Sequence, residues 1–172
     1  VKAIALQIGS EVSVNELSRH LGANHQTIEK YLTVLEQTYV IYKLSSYSNN
    51  VRNEIRKSKK YYFYDNGLRN SVIGNFTSLT LRNDIGALWE NFIISERIKY
   101  NLYNNRDVKY YFWRTKQQQE IDLIEEHNGK LSAFEIKWNK SANLKLPKTF
   151  TNNYTVDKTG LINPESFPSF LL

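Results

Sequence analysis

The residues best suited to chemistry flank an Asn128-Gly129 dipeptide: Glu120, Asp122, Glu135 and Lys137. Asn-Gly between segments of alternating polarity is the strongest short-range signal for a two-residue β-hairpin turn. Such a turn sets His127 opposite Lys130, Asp122 opposite Glu135 and Glu120 opposite Lys137. Side chains alternate along a strand, so these two acids, Glu120 and Lys137 share one face. Facing Cβ atoms lie roughly 4.5–5.5 Å apart, and like charges there are destabilising. Two opposed carboxylates therefore want a cation between them. A divalent ion held by Asp122 and Glu135, with Lys137 beside it, suits the hydrolysis of phosphodiesters. The same residues could instead form an ordinary exposed face, with Glu120–Lys137 as a cross-strand ion pair contributing ~0–1 kcal/mol. A bulge in either strand would separate the acids. On the other face Ile121, Leu123, Phe134, Ile136 and Trp138 make an apolar, core-facing surface.

Composition narrows the chemistry. The chain has no cysteine, which excludes disulfides and thiolate-bound metal, and its three His residues are not paired on one helix face. A metal would rest on oxygen ligands, which suits Mg²⁺ or Mn²⁺. A net charge of +6 favours an anionic partner such as DNA. With 41% apolar residues the chain can fill a core. No apolar run approaches the ~20 residues of a membrane span, and no secretory signal is visible. A soluble, cytoplasmic protein is expected, and the start at Val1 without any Met reads as a piece of a longer one.

The amino-terminal third reads as a winged helix-turn-helix. A helix over Val1–Ile8 ends at Gly9, and Ser13-Val14-Asn15-Glu16 is a capping box opening a helix that stops at Gly22. Asn24 caps a further helix, on which Ile28, Leu32, Leu35 and Tyr39 recur at helical spacing. That helix buries Ile28, Leu32 and Leu35 and presents His25, Gln26, Glu29, Lys30 and Thr33, of which His25, Gln26 and Lys30 are candidates for DNA contact, although Glu29 would repel phosphate. Strands over Val40–Tyr47 and Lys60–Tyr64 make a wing. Their link carries Arg52, Arg56, Lys57, Lys59 and Lys60, which could neutralise phosphates. A solvated loop, or a winged helix used only for protein docking, fits the same residues.

Beyond Asp65-Asn66-Gly67 the expected elements are a short helix over Leu68–Ile73 and a longer one over Asp84–Asn101, with Glu90 at the edge of its apolar stripe. A strand over Val108–Trp113 precedes the hairpin, and Tyr154–Val156 and Leu161-Ile162 could add others. Trp89, Trp113 and Trp138 are expected in the core.

This order of parts resembles the PD-(D/E)xK nuclease-like fold: a helix with Glu90, a strand with Asp122, then Glu135-Ile136-Lys137 on the next strand. The stretches 61–70, from Tyr61 to Asn70, 83–91, from Asn83 to Asn91, and Phe112-Trp113-Arg114-Thr115 resemble the C-terminal half of bacterial and archaeal AAA-type ATPases that carry an uncharacterised nuclease-like domain. The likeness spans nearly the whole chain. It implies a mixed α/β fold, with a winged helix over 1–66 and a nuclease-like domain over 67–172, and a P-loop ATPase domain upstream. No G-x-x-x-x-G-K-[ST] occurs here, so ATP is expected only through that upstream domain. Glu120 stands near where the archetypal motif has Pro before its Asp.

The likeness makes Glu90, Asp122, Glu135 and Lys137 the catalytic set. Asp122 and Glu135 would ligate Mg²⁺ or Mn²⁺ if the site is active, Lys137 would orient or help deprotonate a water, and Glu90 could hold a metal-bound water or a second ion. Arg114 and Gln119 could touch the scissile phosphate, or simply lie at the surface. The expected partners are DNA, the chain's own ATPase domain and a possible protein partner, with no membrane. The rival expectation is a non-catalytic nuclease-like module that docks a partner or regulates the ATPase.

Overall fold

Residues 1–48 and 59–171 are described by the structure, a computed structural model. Arg52, Arg56 and Lys57 lie outside the described residues. The framework is a mixed seven-stranded sheet with helices packed against it. The strands are β1 (Glu11–Val12), β2 (Ile41–Ser46), β3 (Lys59–Phe63), β4 (Lys109–Arg114), β5 (Glu120–His127), β6 (Lys130–Ile136) and β7 (Lys158–Ile162). They lie in the order β1-β3-β2-β4-β5-β6-β7. Pairs β2–β4 and β6–β7 are parallel and the rest antiparallel. The described helices are α1 (Lys2–Leu6), α2 (Val14–Leu21), α3 (His25–Gln37), α4 (Asn66–Ile73), α5 (Ile85–Tyr103), α6 (Lys148–Thr151) and α7 (Phe167–Leu171).

Local chemistry accounts for the helix ends. The Ser13 side chain accepts from the Glu16 amide, and Gly22 closes α2 in the left-handed conformation. Asn24 Oδ1 accepts from the Thr27 amide at 2.8 Å to open α3, and Asp65 Oδ1 does the same for Leu68 at 2.7 Å to open α4. Two expectations need correction. The first helix covers only Lys2–Leu6, because from Gln7 the amide bonds tighten to three-residue turns, Gln7 to the Ile4 carbonyl and Ser10 to the Gln7 carbonyl, around Gly9 at φ +74. Tyr154–Val156 is no strand; the Tyr154 and Val156 side chains pack instead against the cluster containing Trp113 and Phe150.

The amino-terminal third and the rest share one core. A single cluster joins Ile4, Leu17 and Leu32 to Tyr62, Trp89, Phe134 and Phe170. The hairpin β2–β3, expected as a wing, is continuous with the central sheet, because β2 pairs with β4. Two buried polar contacts lock this joint. Asn91 of α5 accepts from the Phe63 amide at 2.7 Å and donates to the Phe63 carbonyl at 2.9 Å, bonding α5 to the end of β3. Arg69 of α4 donates to the Ala5 carbonyl at 2.8 Å and to Asp84 at 2.5 Å. Arg82 grips the same carboxylate, and together these guanidinium bonds hold Asp84 well below the usual carboxylate range.

Candidate carboxylate–lysine site

The hairpin forms in the expected register. Asn128 and Gly129 have φ of 51° and 73°, the two positive values a type I′ turn requires. His127 then faces Lys130 and Leu123 faces Phe134. A bulge does occur, but on the other side of β5: Tyr111 pairs with Ile124 while Trp113 pairs with Ile121. It reverses one expectation. Ile121 sits with Trp113 and Phe150, whereas Leu123, Phe134 and Ile136 face the cluster containing α5. An extra residue flips the strand by one pleat, so Ile121 and Leu123 no longer share a face.

The acids are not separated. Lys137 Nζ lies 2.8 Å from Asp122 Oδ2 and 2.9 Å from Glu135 Oε2, one ammonium between two carboxylates. Asp122 Oδ2 also accepts from the Ile136 amide at 2.7 Å, so this side chain takes over where the β5–β6 ladder stops. Both acids are buried, while the Lys137 side chain remains 45% exposed and forms the opening to solvent. Burial, and next the Asp122 charge, push the Glu135 carboxyl up to about 7 against the opposing pull of Lys137. Burial would lower Lys137, but the carboxylates of Asp122 and Glu135 outweigh it and raise the ammonium pKa.

Glu90 reaches the same region from α5. It accepts from the Tyr62 hydroxyl at 2.5 Å and lies 3.4 Å from Lys60 Nζ. Burial raises its carboxyl to about 7, opposed by Lys60 and reinforced by Asp122. Glu120 departs from expectation. It pairs with Lys60, and its other oxygen lies 3.7 Å from Arg114, so it is not the cross-strand partner of Lys137. Lys60 is 2% exposed, which removes it from any phosphate-contacting wing and makes it an internal counter-ion. Gly9 approaches the Glu90 carboxylate from α1's side; a Cβ there would lie 3.6 Å from Glu90 Oε1.

The donor set is oxygen only, matching a hard divalent ion. Among the described residues no group of three or more His, Cys, Asp or Glu converges as a ligand cluster. The fit is thus to a two-carboxylate site, Asp122 and Glu135, with the remaining positions left to water or substrate, as Mg²⁺ commonly binds. The Glu135 carboxyl, raised beside the Asp122 charge, has much to gain from a second cation.

The other candidates scatter. His25, Gln26 and Lys30 are exposed on α3, where His25 Nδ1 lies 3.5 Å from Glu29. Arg114 sits by the cluster but faces Glu120 and Glu11, and Gln119 accepts from the Thr149 hydroxyl. Trp89 and Trp113 are buried as expected, but Trp138 is 40% exposed, with its ring edge-on to Trp89.

Residues 1–79 match a domain of unknown function, DUF8612. Residues 85–167 match another, DUF4143, an AAA-ATPase-associated C-terminal region. Uncharacterized proteins of Mycobacterium tuberculosis and Mycobacterium bovis are each 34% identical over 131 residues, 75% of this chain and 29% of the relative. An uncharacterized protein of Haemophilus influenzae is 34% identical over 65 residues, 38% of this chain and 16% of the relative. This chain therefore spans less than a third of the curated relatives it matches. No solved structure gives a significant match. No helix among the described residues is long and apolar enough to cross a membrane.

Sequence reading missed Lys60 and Tyr62 as members of the site. The signal was present: a lysine inside a strand of aromatic residues, with a tyrosine two positions on, puts both on one face.

Proposed function

We propose that this chain is the DNA-associated C-terminal region of a P-loop ATPase, a winged helix followed by a PD-(D/E)xK nuclease-like domain whose carboxylate–lysine site hydrolyses phosphodiesters with Mg²⁺ or Mn²⁺. The observation that carries this reading is the convergence of Asp122, Glu135 and Lys137 within 2.9 Å contacts, with Glu90 joining from α5. Asp122 and Glu135 would hold the ion. Bound there, it would acidify a water and polarise a phosphodiester oxygen. Lys137, at the solvent opening, is placed to orient that water or to offset charge on the phosphate. Glu90 would hold a metal-bound water or a second ion. ATP enters only through the upstream domain.

The test is incubation with supercoiled and linear DNA plus Mg²⁺ or Mn²⁺, beside Asp122→Ala and Lys137→Ala. Cleavage abolished in both variants supports the hydrolase. A gel shift over rising salt tests DNA association, since phosphate contacts weaken steeply with ionic strength.

A second reading, a non-catalytic module that docks a protein or regulates the ATPase, is favoured by two observations. Lys137 already bridges the acid pair, and α3 exposes Tyr31 and Val34, with Tyr39 just beyond it, beside its polar residues. No cleavage, with no metal-dependent thermal shift, supports that reading.

A further inference from the structure

A polar cavity lies at the turn end of the hairpin, roughly 16 Å along β5 from Asp122. It measures about 340 Å³ and opens between the β5–β6 turn, the start of β7, the end of α5 and α7. Arg97, Arg106, Lys130 and Lys158 line it, against only Glu125 and Asp157. We propose that this cavity binds a small phosphate monoester, a ligand of about mononucleotide size or less.

The charges in the cavity are unevenly matched. Arg97 grips Glu125 through two bonds of 2.7 and 2.9 Å, and Asn101 donates to the same carboxylate at 3.3 Å, so this buried acid is neutralised in place. Arg97 itself is fixed by the Phe170 carbonyl at 2.7 Å and by the Phe170 ring, 4.4 Å below its guanidinium. Asp157 is met by Lys130 at 3.4 Å. Arg106 and Lys158 remain, both exposed, with no ion pair among the described residues. The cavity thus carries two uncommitted cations above a wall whose acids are already paired. A doubly charged phosphate monoester matches that surplus, and guanidinium binds its oxygens in a forked geometry. Ser132 and Ser169 add hydroxyls to the lining. The volume lies at the small end of ligand pockets, which selects a compact ligand over a long one.

The test is calorimetric titration of the whole chain at low salt with inorganic phosphate, AMP and adenosine, beside the double variant Arg106→Ala/Lys158→Ala. Saturable binding of phosphate and AMP but not adenosine is expected, weakened about tenfold or more in the double variant. Both substituted side chains are exposed, so an unchanged melting curve shows the fold intact. Displacement of AMP by a 5′-phosphorylated but not a 5′-hydroxyl oligonucleotide supports the site with a strand end as ligand; displacement by neither supports it with a free small ligand. No saturation by about 10 mM phosphate or AMP, adenosine binding as well as AMP, or equal binding by the double variant overturns it. The double variant leaves the carboxylate–lysine site untouched, so any Mg²⁺-dependent cleavage persists in it and the two proposals fail separately.

Discussion

Lys137 stands between two acids with a single positive charge, and burial leaves Glu135 with a carboxyl near 7. Stability therefore depends on pH through this residue. Unfolded, Glu135 titrates near 4.5. Between those values the folded chain keeps a proton that the unfolded chain has released, so stability is full below about 4.5 and falls as pH rises toward 7. Glu90 behaves alike, for the same reason of burial. Melting curves recorded with EDTA should show a midpoint that declines from pH 5 to pH 8, and a shallower decline in Glu135→Gln. Equal slopes in the two proteins would mean that Glu135 titrates at its ordinary value. The residue scale is partly readable from sequence: opposed acids and a nearby lysine follow from counting outward from Asn128-Gly129. The partners of Glu120 are not, since Lys60 lies far away in sequence and reaches it only through the sheet.

Among the elements, the β5–β6 hairpin depends most on a single local feature. Gly129 adopts φ +73 with nothing within 4 Å of the place a Cβ would occupy, so a larger residue meets backbone strain and no clash. Gly129→Ala should cost about 1 kcal/mol, read as a lower urea midpoint at unchanged m-value. An unchanged midpoint would show that the turn is not held in this conformation. Helix starts are legible from Ser13 and Asn24, because a cap is a local hydrogen bond between near neighbours, whereas Asp65 opens α4 two residues before the expected start at Leu68. The bulge at Ile121–Leu123 is not legible, since it arises from fitting β5 against β4 and β6 at once. For that reason strict alternation puts Ile121 on the wrong face while placing Leu123, Phe134 and Ile136 correctly.

At the scale of the whole molecule, the sheet runs through the boundary near residue 66, with β2 bonded to β4 and α5 bonded to β3 through Asn91. The two parts should melt as one unit. Calorimetry of the full chain is expected to give one cooperative transition, and residues 67–172 alone are expected to give none, because β4 would lose its neighbour and Trp89 and Ile93 would lose the packing of Ile41, Tyr62 and Phe63. A cooperative transition in that fragment would establish two independent folding units.

Period, caps and the Asn-Gly turn are written in neighbouring residues, so the sequence by itself determined helices α1 to α5, most strands, the hairpin register and the shared face of Asp122, Glu135 and Lys137, while the short α6 and α7 carry no such local signal. The tertiary structure alone decided that Lys60 and Tyr62 would join them, that Glu120 would turn away from Lys137, and that the wing strands would enter the central sheet. Those outcomes depend on contacts between residues distant in the chain, where burial of charge is tolerated only if a counter-charge arrives from another element.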